Sequence, residues 1–278
     1  MTTITAPQPT PPRAAFTTAA SPLRPWQREL RALPNALRSE RIKLSTVRTT
    51  KVLFALTAVV GFVAAYATAK LVTDEVLTVS KVFVYPAVFT AVFAAISGIL
   101  MFTSEAQHGT LAVTLAAQPG RRVIATAKAL VANAVGLVLG VVGMAAAAGG
   151  AAIGGLAIGN GSALAATAGW ALLYTSTAAT FGLGVGMIAR HSAGAISGLL
   201  VWWFVAENLL RTFTPPSIGR FVLPFDAGYR TLDVGSNFDT PEILAAALRR
   251  PEYALIFVSY AVLSLAVGTI LLSRRDAK

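Results

Sequence analysis

The sequence predicts an all-α integral membrane fold with about six transmembrane helices, and three observations carry that reading. Apolar residues make up 55% of the 278-residue chain and charged residues 13%, about half the charged share usual in soluble domains. The apolar residues gather into runs of roughly 20, the length a helix needs to cross hydrocarbon. The basic residues fall unequally on alternate connections between those runs, as they do when one membrane face is cytoplasmic.

Residues 1–23 are rich in Thr, Pro and Ala, with Pro7, Pro9, Pro11 and Pro12 clustered. Too little can be buried there to offset the entropy of ordering, so disorder is expected. A basic start followed by an apolar stretch is missing, so the segment does not read as a signal peptide. Over 24–50 the chain turns basic and amphipathic. Trp26, Leu30, Leu33 and Leu37 recur at spacings of four, three and four, one face of a helix. Arg28, Arg31, Arg38 and Arg41 form a polar face, and Pro34 is expected to break or kink the helix. A solvated basic helix has this pattern too, but the span that comes next favours a helix lying in the headgroup plane.

A transmembrane domain is expected over 51–275, with spans at 52–72, 82–104, 123–147, 164–188, 194–212 and 252–272. The third run is longer than one span needs, and Gly149, Gly150, Gly154 and Gly155 are expected to mark its fraying into a turn. An even number of spans puts both termini on one side. Nine Lys or Arg up to Lys51, then Arg121, Arg122, Lys128, Arg190, Arg274, Arg275 and Lys278, place 16 of the 23 basic residues there. Only Glu29, Glu40, Glu105 and Asp276 oppose them, a net of +12 against −1 on the other side. Both ends are therefore expected in the cytoplasm.

The formal charge of +11 is thus topological, and no interleaving of aromatic and basic residues suggests nucleic-acid binding. The absence of cysteine excludes disulfides and thiolate chemistry. His108 and His191 cannot form a zinc site without carboxylates, and no catalytic or metal residues are assigned. No P-loop, H-E-x-x-H or G-x-S-x-G occurs. Gly182, Gly184 and Gly186, like Gly136 and Gly140, lie inside apolar spans and read as helix-packing sites. Thr175, Ser176, Thr177, Thr180 and Asn133 read as interhelical hydrogen-bonding groups.

The segment after the second span, from Glu105 to Arg122, is long for a plain connection. Leu111, Thr114 and Leu115 share one face of a short helix that Pro119-Gly120 then stops. Glu105 is expected at that helix's start, favoured by its dipole. Arg121 and Arg122 are expected at headgroup phosphates, with Lys128 snorkelling back to them. The segment resembles the loop of ABC-2 type transporter permeases: Glu-x-x-x-Gly-Thr, a Thr-Leu pair, then a basic doublet. Glu105, His108, Gly109, Thr110, Thr114, Leu115, Arg121, Arg122 and Lys128 fall on that pattern. Residues 39–50, Arg190 to Ile196, Glu207-Asn208 and Leu223-Pro224-Phe225 resemble further stretches of the same family, so the resemblance covers about 36–275. Ile42 departs from it, an aromatic residue being more usual there.

The resemblance implies a permease half of a bacterial plasma-membrane exporter. It would pair with a second half, identical or related, and with separate ABC ATPase subunits that hold the ATP and Mg. Residues Glu105, His108, Gly109, Thr110, Leu111, Thr114, Leu115, Arg121 and Arg122 would couple to the ATPase, the short helix serving as coupling helix. The chain itself would carry no cofactor and would not be an enzyme. The alternative is an ATP-independent channel or secondary transporter, against which no inverted repeat or central charge pair is found.

Glu207 is a carboxylate within a span, at roughly 2.5–3.5 kcal/mol when central on insertion scales. Two roles are open: an ion pair with Arg211 one turn on, or a gate or substrate contact. Residues 212–251 hold Pro215, Pro216, Pro224 and Pro241. Their Phe221, Val222, Leu223 and Phe225 are apolar enough to dip into the bilayer edge as an exterior lid, an ordinary loop being the other reading. Glu207, Asn208, Phe221, Leu223, Pro224 and Phe225 are the candidate gate or substrate path.

Overall fold

The computed structural model describes residues 25–72, 82–117, 120–156, 161–215, 217–218, 223–232 and 241–274. Among these the chain is helical and contains no strand. The expected disordered segment 1–23, the candidate gate residue Phe221 and Val222 of the expected lid lie outside the described residues.

Helix α1 spans Pro25–Thr46. It runs through Pro34 without a break, and Pro34 and Asn35 are exposed, so the proline ring lies on the outward side of the helix. The interruption comes at Val47, whose backbone is extended at φ −78° and ψ 121°. Half-buried Leu33 and Leu37 face the bundle, whereas Arg31, Arg38 and Arg41 are exposed. The expected polarity of α1 therefore holds over its second half.

Six further helices are long and apolar enough to cross a membrane: α2 (Arg48–Leu71), α3 (Val84–Gln107), α5 (Arg121–Ile153), α6 (Gly161–Ala189), α7 (Ser192–Phe213) and α10 (Arg250–Arg274). The protein is a multi-pass membrane protein. Between them stand the short helices α4 (Thr110–Ala117), α8 (Pro224–Arg230) and α9 (Pro241–Ala245). In α7 one π-helical turn occupies Trp202–Ala206.

With 33 residues, α5 is about 50 Å long at 1.5 Å per residue, well beyond the hydrocarbon thickness of about 30 Å. Gly149 and Gly150 do not fray it, contrary to expectation; they lie inside the helix, and a Cβ on Gly150 would fall on the Phe62 carbonyl of α2. Only Gly154 and Gly155 form the turn, Gly155 at φ +89°.

Helices α3 and α6 form the centre: 67% of the residues in an apolar 18-residue stretch of each are buried, against 22% in α2, α7 and α10. Their backbones touch: a Cβ on Gly98 would fall on the Ala179 carbonyl, and one on Gly186 would sit 2.8 Å from the Ile99 oxygen. Gly182 faces α3 in the same way, while Gly184 faces Ser264 and Leu265 of α10. Gly136 and Gly140 of α5 meet Ser176 and Thr175 of α6. The glycine motifs are thus close-packing sites.

The hydroxyls of α6 depart from expectation. Thr175, Ser176 and Thr180 donate to Ala171, Leu173 and Ser176 carbonyls of their own helix, at 3.0, 3.0 and 3.1 Å. The preceding turn is the nearest acceptor when helices pack this closely. Asn133 is exposed. Outward faces carry Val59 and Val63 of α2, Val138 and Val141 of α5, and Val262 and Leu263 of α10, all exposed, as a hydrocarbon surround requires.

Arg121 donates to the Leu272 and Ser273 carbonyls at 2.7 and 3.0 Å, and α1 packs on α5. The start of the described chain and the end of α10 therefore share one end of the bundle. Arg122, Arg190 and Arg274 are there too, which makes it the basic end of the molecule.

The glycines separate a packing role from helix propensity. Gly182→Ala is expected to destabilise the bundle by about 1–3 kcal/mol through overpacking. Gly169→Ala, with open space around the added carbon, is expected to be neutral or up to about 1 kcal/mol stabilising. Thermal unfolding of the two purified variants in detergent checks the contrast.

Candidate functional site

At the basic end, two acidic and two basic side chains from α1, α3 and α5 meet. Lys128 is wholly buried and donates to Glu40 Oε2 at 2.9 Å, Glu105 Oε1 at 2.7 Å and the Met101 carbonyl at 3.3 Å. Its three ammonium protons are thus all placed. Lys43 donates to Glu40 Oε1 at 2.9 Å, Glu105 Oε1 at 2.8 Å and Thr114 Oγ1 of α4 at 3.5 Å. Burial alone pushes the Lys43 ammonium down, but its hydrogen bonds to Glu105 and Glu40 and their charges outweigh it and hold it above its ordinary value of 10.5. With its folded value raised, the stabilisation from Lys43 is complete below about pH 10 and fades only as pH rises further.

Three expectations change here. Glu105 lies in the last turn of α3, not at a helix start, because the apolar run continues helically to Gln107. Lys128 does not snorkel; two carboxylates within 3 Å hold it inside. Arg121 is engaged by the end of α10, whose last carbonyls lack helical partners, while Arg122 is exposed at the start of α5.

His108 caps α3 and is exposed, its Nδ1 2.7 Å from the Ser104 carbonyl oxygen. Gly109 is next at φ +71°, the left-handed conformation that favours glycine, and turns the chain into α4. Thr110 Oγ1 donates to the Glu105 carbonyl at 3.4 Å. The shared face of Leu111, Thr114 and Leu115 exists, but it points into the bundle: Leu111 is buried and clusters with Phe102, Met187 and Leu272. An eight-residue helix is marginal alone, so its apolar face is used to hold it down. The free face carries Ala112, Val113, Ala116 and Ala117, with Val113 69% exposed.

At the opposite end, Glu207 is buried and closes the π turn. It does not pair with Arg211. Its carboxylate accepts from the backbone N–H groups of Phe225 at 3.0 Å and Asp226 at 2.8 Å, and from the Trp202 indole at 3.2 Å. The two amides are among the first donors of α8, so Glu207 supplies both the missing acceptors and a favourable charge at that terminus. Arg211 pairs with Asp226, which also accepts from Arg230 Nε at 2.9 Å. Asn208 is exposed and donates to the Phe204 carbonyl at 2.9 Å.

Leu223 and Phe225 are buried against protein, where a dip into the bilayer edge was expected. Phe225 stacks on Trp203 at 3.9 Å between centroids and packs edge-on against Phe181. Pro224 starts α8, where its missing N–H costs nothing. A cavity of about 140 Å³ remains between Tyr174, Trp203, Glu207, Arg211 and Asp226.

The sequence reading missed Glu40, Lys43 and Asp226. A signal existed for the first: Leu33, Leu37, Glu40 and Leu44 continue the spacing of four, three and four, so a carboxylate sits on the buried stripe. No group of three or more metal-ligating side chains exists among the described residues. Compared with known protein families and with curated protein sequences, the chain matches none.

Both ends make measurable demands. Lys128→Met strands two carboxylates on one cation and is expected to lose about 3–5 kcal/mol; adding Glu105→Gln should restore part of it, read as unfolding temperature in detergent. Glu207→Gln loses a charge-assisted acceptor and is expected to raise amide exchange at Phe225 and Asp226 by about 10- to 100-fold, leaving the amides of α3 unchanged.

Proposed function

We propose that the chain is the membrane-spanning half of an ATP-driven exporter of the ABC-2 permease kind, working with a second half and with separate ATPase subunits. The observation that carries the proposal is the setting of α4. It is a short helix outside the spans, with small exposed side chains on its free face, and it is tied through Thr114 and Lys43 to the cluster joining α1, α3 and α5. A partner that seats on Ala112, Val113 and Ala116 thereby pushes on three helices at once. The chain has no P-loop, so ATP and Mg belong to the partner.

In this reading the basic end is cytoplasmic, in a bacterial plasma membrane, and the Glu207–α8 assembly lies at the exterior. Glu207, with Asn208, Leu223, Pro224 and Phe225, closes the outer end of the route. Opening it means parting Glu207 from the two amides of α8 and separating the Trp203–Phe225 stack. The charge split between the two ends of the bundle supports the orientation.

The test uses the free face of α4, because Glu105 is committed to the buried cluster and its substitution disturbs folding. Val113→Glu and Ala116→Glu should leave the chain inserted, with an unfolding temperature close to that of the unaltered protein. They should cut copurification of a P-loop ATPase and substrate-stimulated ATP hydrolysis by about tenfold or more, the size of two charges placed in a desolvated contact. Transport by the chain with no ATPase present replaces this reading with a secondary transporter.

A further inference from the structure

A second feature of the basic end is left unused by ATPase docking. Between α1, the start of α2 and the last turns of α3 lies a cavity of about 490 Å³, within the size range of small-molecule sites. Its walls divide by chemistry. Leu44, Leu53, Leu100 and Met101 form an apolar side, while Lys43 and the hydroxyls of Thr49, Thr50 and Ser97 form a polar one. These three hydroxyls make no hydrogen bond among the described residues, although Ser97 is only 6% exposed. Thr49 is exposed and Thr50 half-buried at the cavity's mouth, where their hydroxyls can donate to a phosphate oxygen.

The sign of the ligand's head is set by which charges are reachable. Glu40 and Glu105 also line the cavity, but their side chains are 6% and 10% exposed and are held by Lys43 and Lys128. Glu105 Oε2, which has no partner among the described residues, is buried. The side chain of Lys43 is 36% exposed, and its longest contact, 3.5 Å to Thr114, is the one most readily exchanged. Arg41, Arg48 and Lys51 are exposed on the adjoining stretch of α1 and α2. The four clustered charges cancel, so the field at this side is positive.

We propose that this cavity binds one anionic phospholipid: the phosphate against Lys43 and the hydroxyls of Thr49 and Thr50, the first acyl carbons along Leu53, Leu100 and Met101. An anionic phospholipid is the amphiphile a bilayer presents where basic residues flank its spans. The site does not depend on the exporter reading.

The experiment takes the full-length protein into lipid nanodiscs of phosphatidylglycerol or phosphatidylcholine and counts retained lipid by native mass spectrometry, with no ATP or ATPase present. Retention of one phosphatidylglycerol per chain is expected, with about tenfold preference over phosphatidylcholine. Ser97→Leu and Thr50→Trp fill the cavity and should reduce retention by about tenfold. The pair Arg48→Gln with Lys51→Gln lies outside the buried cluster and should together reduce the preference about fivefold, to about twofold. It keeps the test decisive if a filled variant fails to fold. Equal retention of the two lipids, or unchanged retention in every folded variant, overturns the proposal and leaves annular lipid only. Failure of the ATPase test on α4 would leave this result untouched.

Discussion

Lys128 has no exposed surface, and an ammonium there is tolerable only because two carboxylates and a backbone carbonyl surround it. Withdrawing such a group from water costs several kcal/mol, and only good geometry with every proton placed offsets that penalty. Much of the basic end is arranged to meet the condition. Helix α1 delivers Glu40, the last turn of α3 delivers Glu105, and Lys43 balances the second negative charge. Because the partners come from three helices, none of the three can shift without exposing an uncompensated charge. The cluster therefore acts as a position lock, and α4 inherits its place through Lys43 and Leu111.

The other end solves a related problem without a lysine. Glu207 sits among aromatic side chains, but the positive end of a short helix is brought to it. The π turn just before it makes this geometrically possible, since one extra residue in the turn rotates the rest of α7 and re-aims the carboxylate. A partner made of backbone amides and an indole differs from a formal counter-ion. It satisfies the charge, and the ion pair of Arg211 with Asp226 adds a second tie between α7 and α8.

How much of this was legible depends on range. The six spans and the glycine contacts arise from composition and from the absence of side-chain bulk, both local properties, and their ends agree with the structure to within a few residues except in α5. The long α5 was misjudged because Gly149 and Gly150 look like helix breakers in isolation, whereas Phe62 of α2 makes use of their missing side chains. The i, i+4 spacing offers Arg211 as one of two roles open to Glu207, yet the backbone amides that it accepts from lie 18 and 19 residues onward. Lys128 and Glu40 are 88 residues apart. Spacing rules reach one helix, and charge partners that cross helices lie beyond them. The apolar face of α4 was read correctly as a face but assigned to a partner, because sequence periodicity gives the stripe and not what covers it.

Between the two ends the packing limits which movements are available. Helices α3 and α6 approach so closely at Gly98, Gly182 and Gly186 that backbone lies against backbone, and sliding either along the other would bring a side chain into that gap. They must move as one body. Phe181 of α6 packs on Phe225, and Phe225 on Trp203, so that body reaches α8 and α7 at the far end. A displacement imposed at α4 then has few places to be absorbed: the extended residue Val47, Gly109, Arg190 at φ 57°, and the π turn of α7. Three of these border the basic end and one borders Glu207. In the exporter reading proposed above, the rigid pair in the middle and the interruptions at either end would carry a push on the basic end to the Glu207–α8 contact as a tilt, with the π turn as the place that yields.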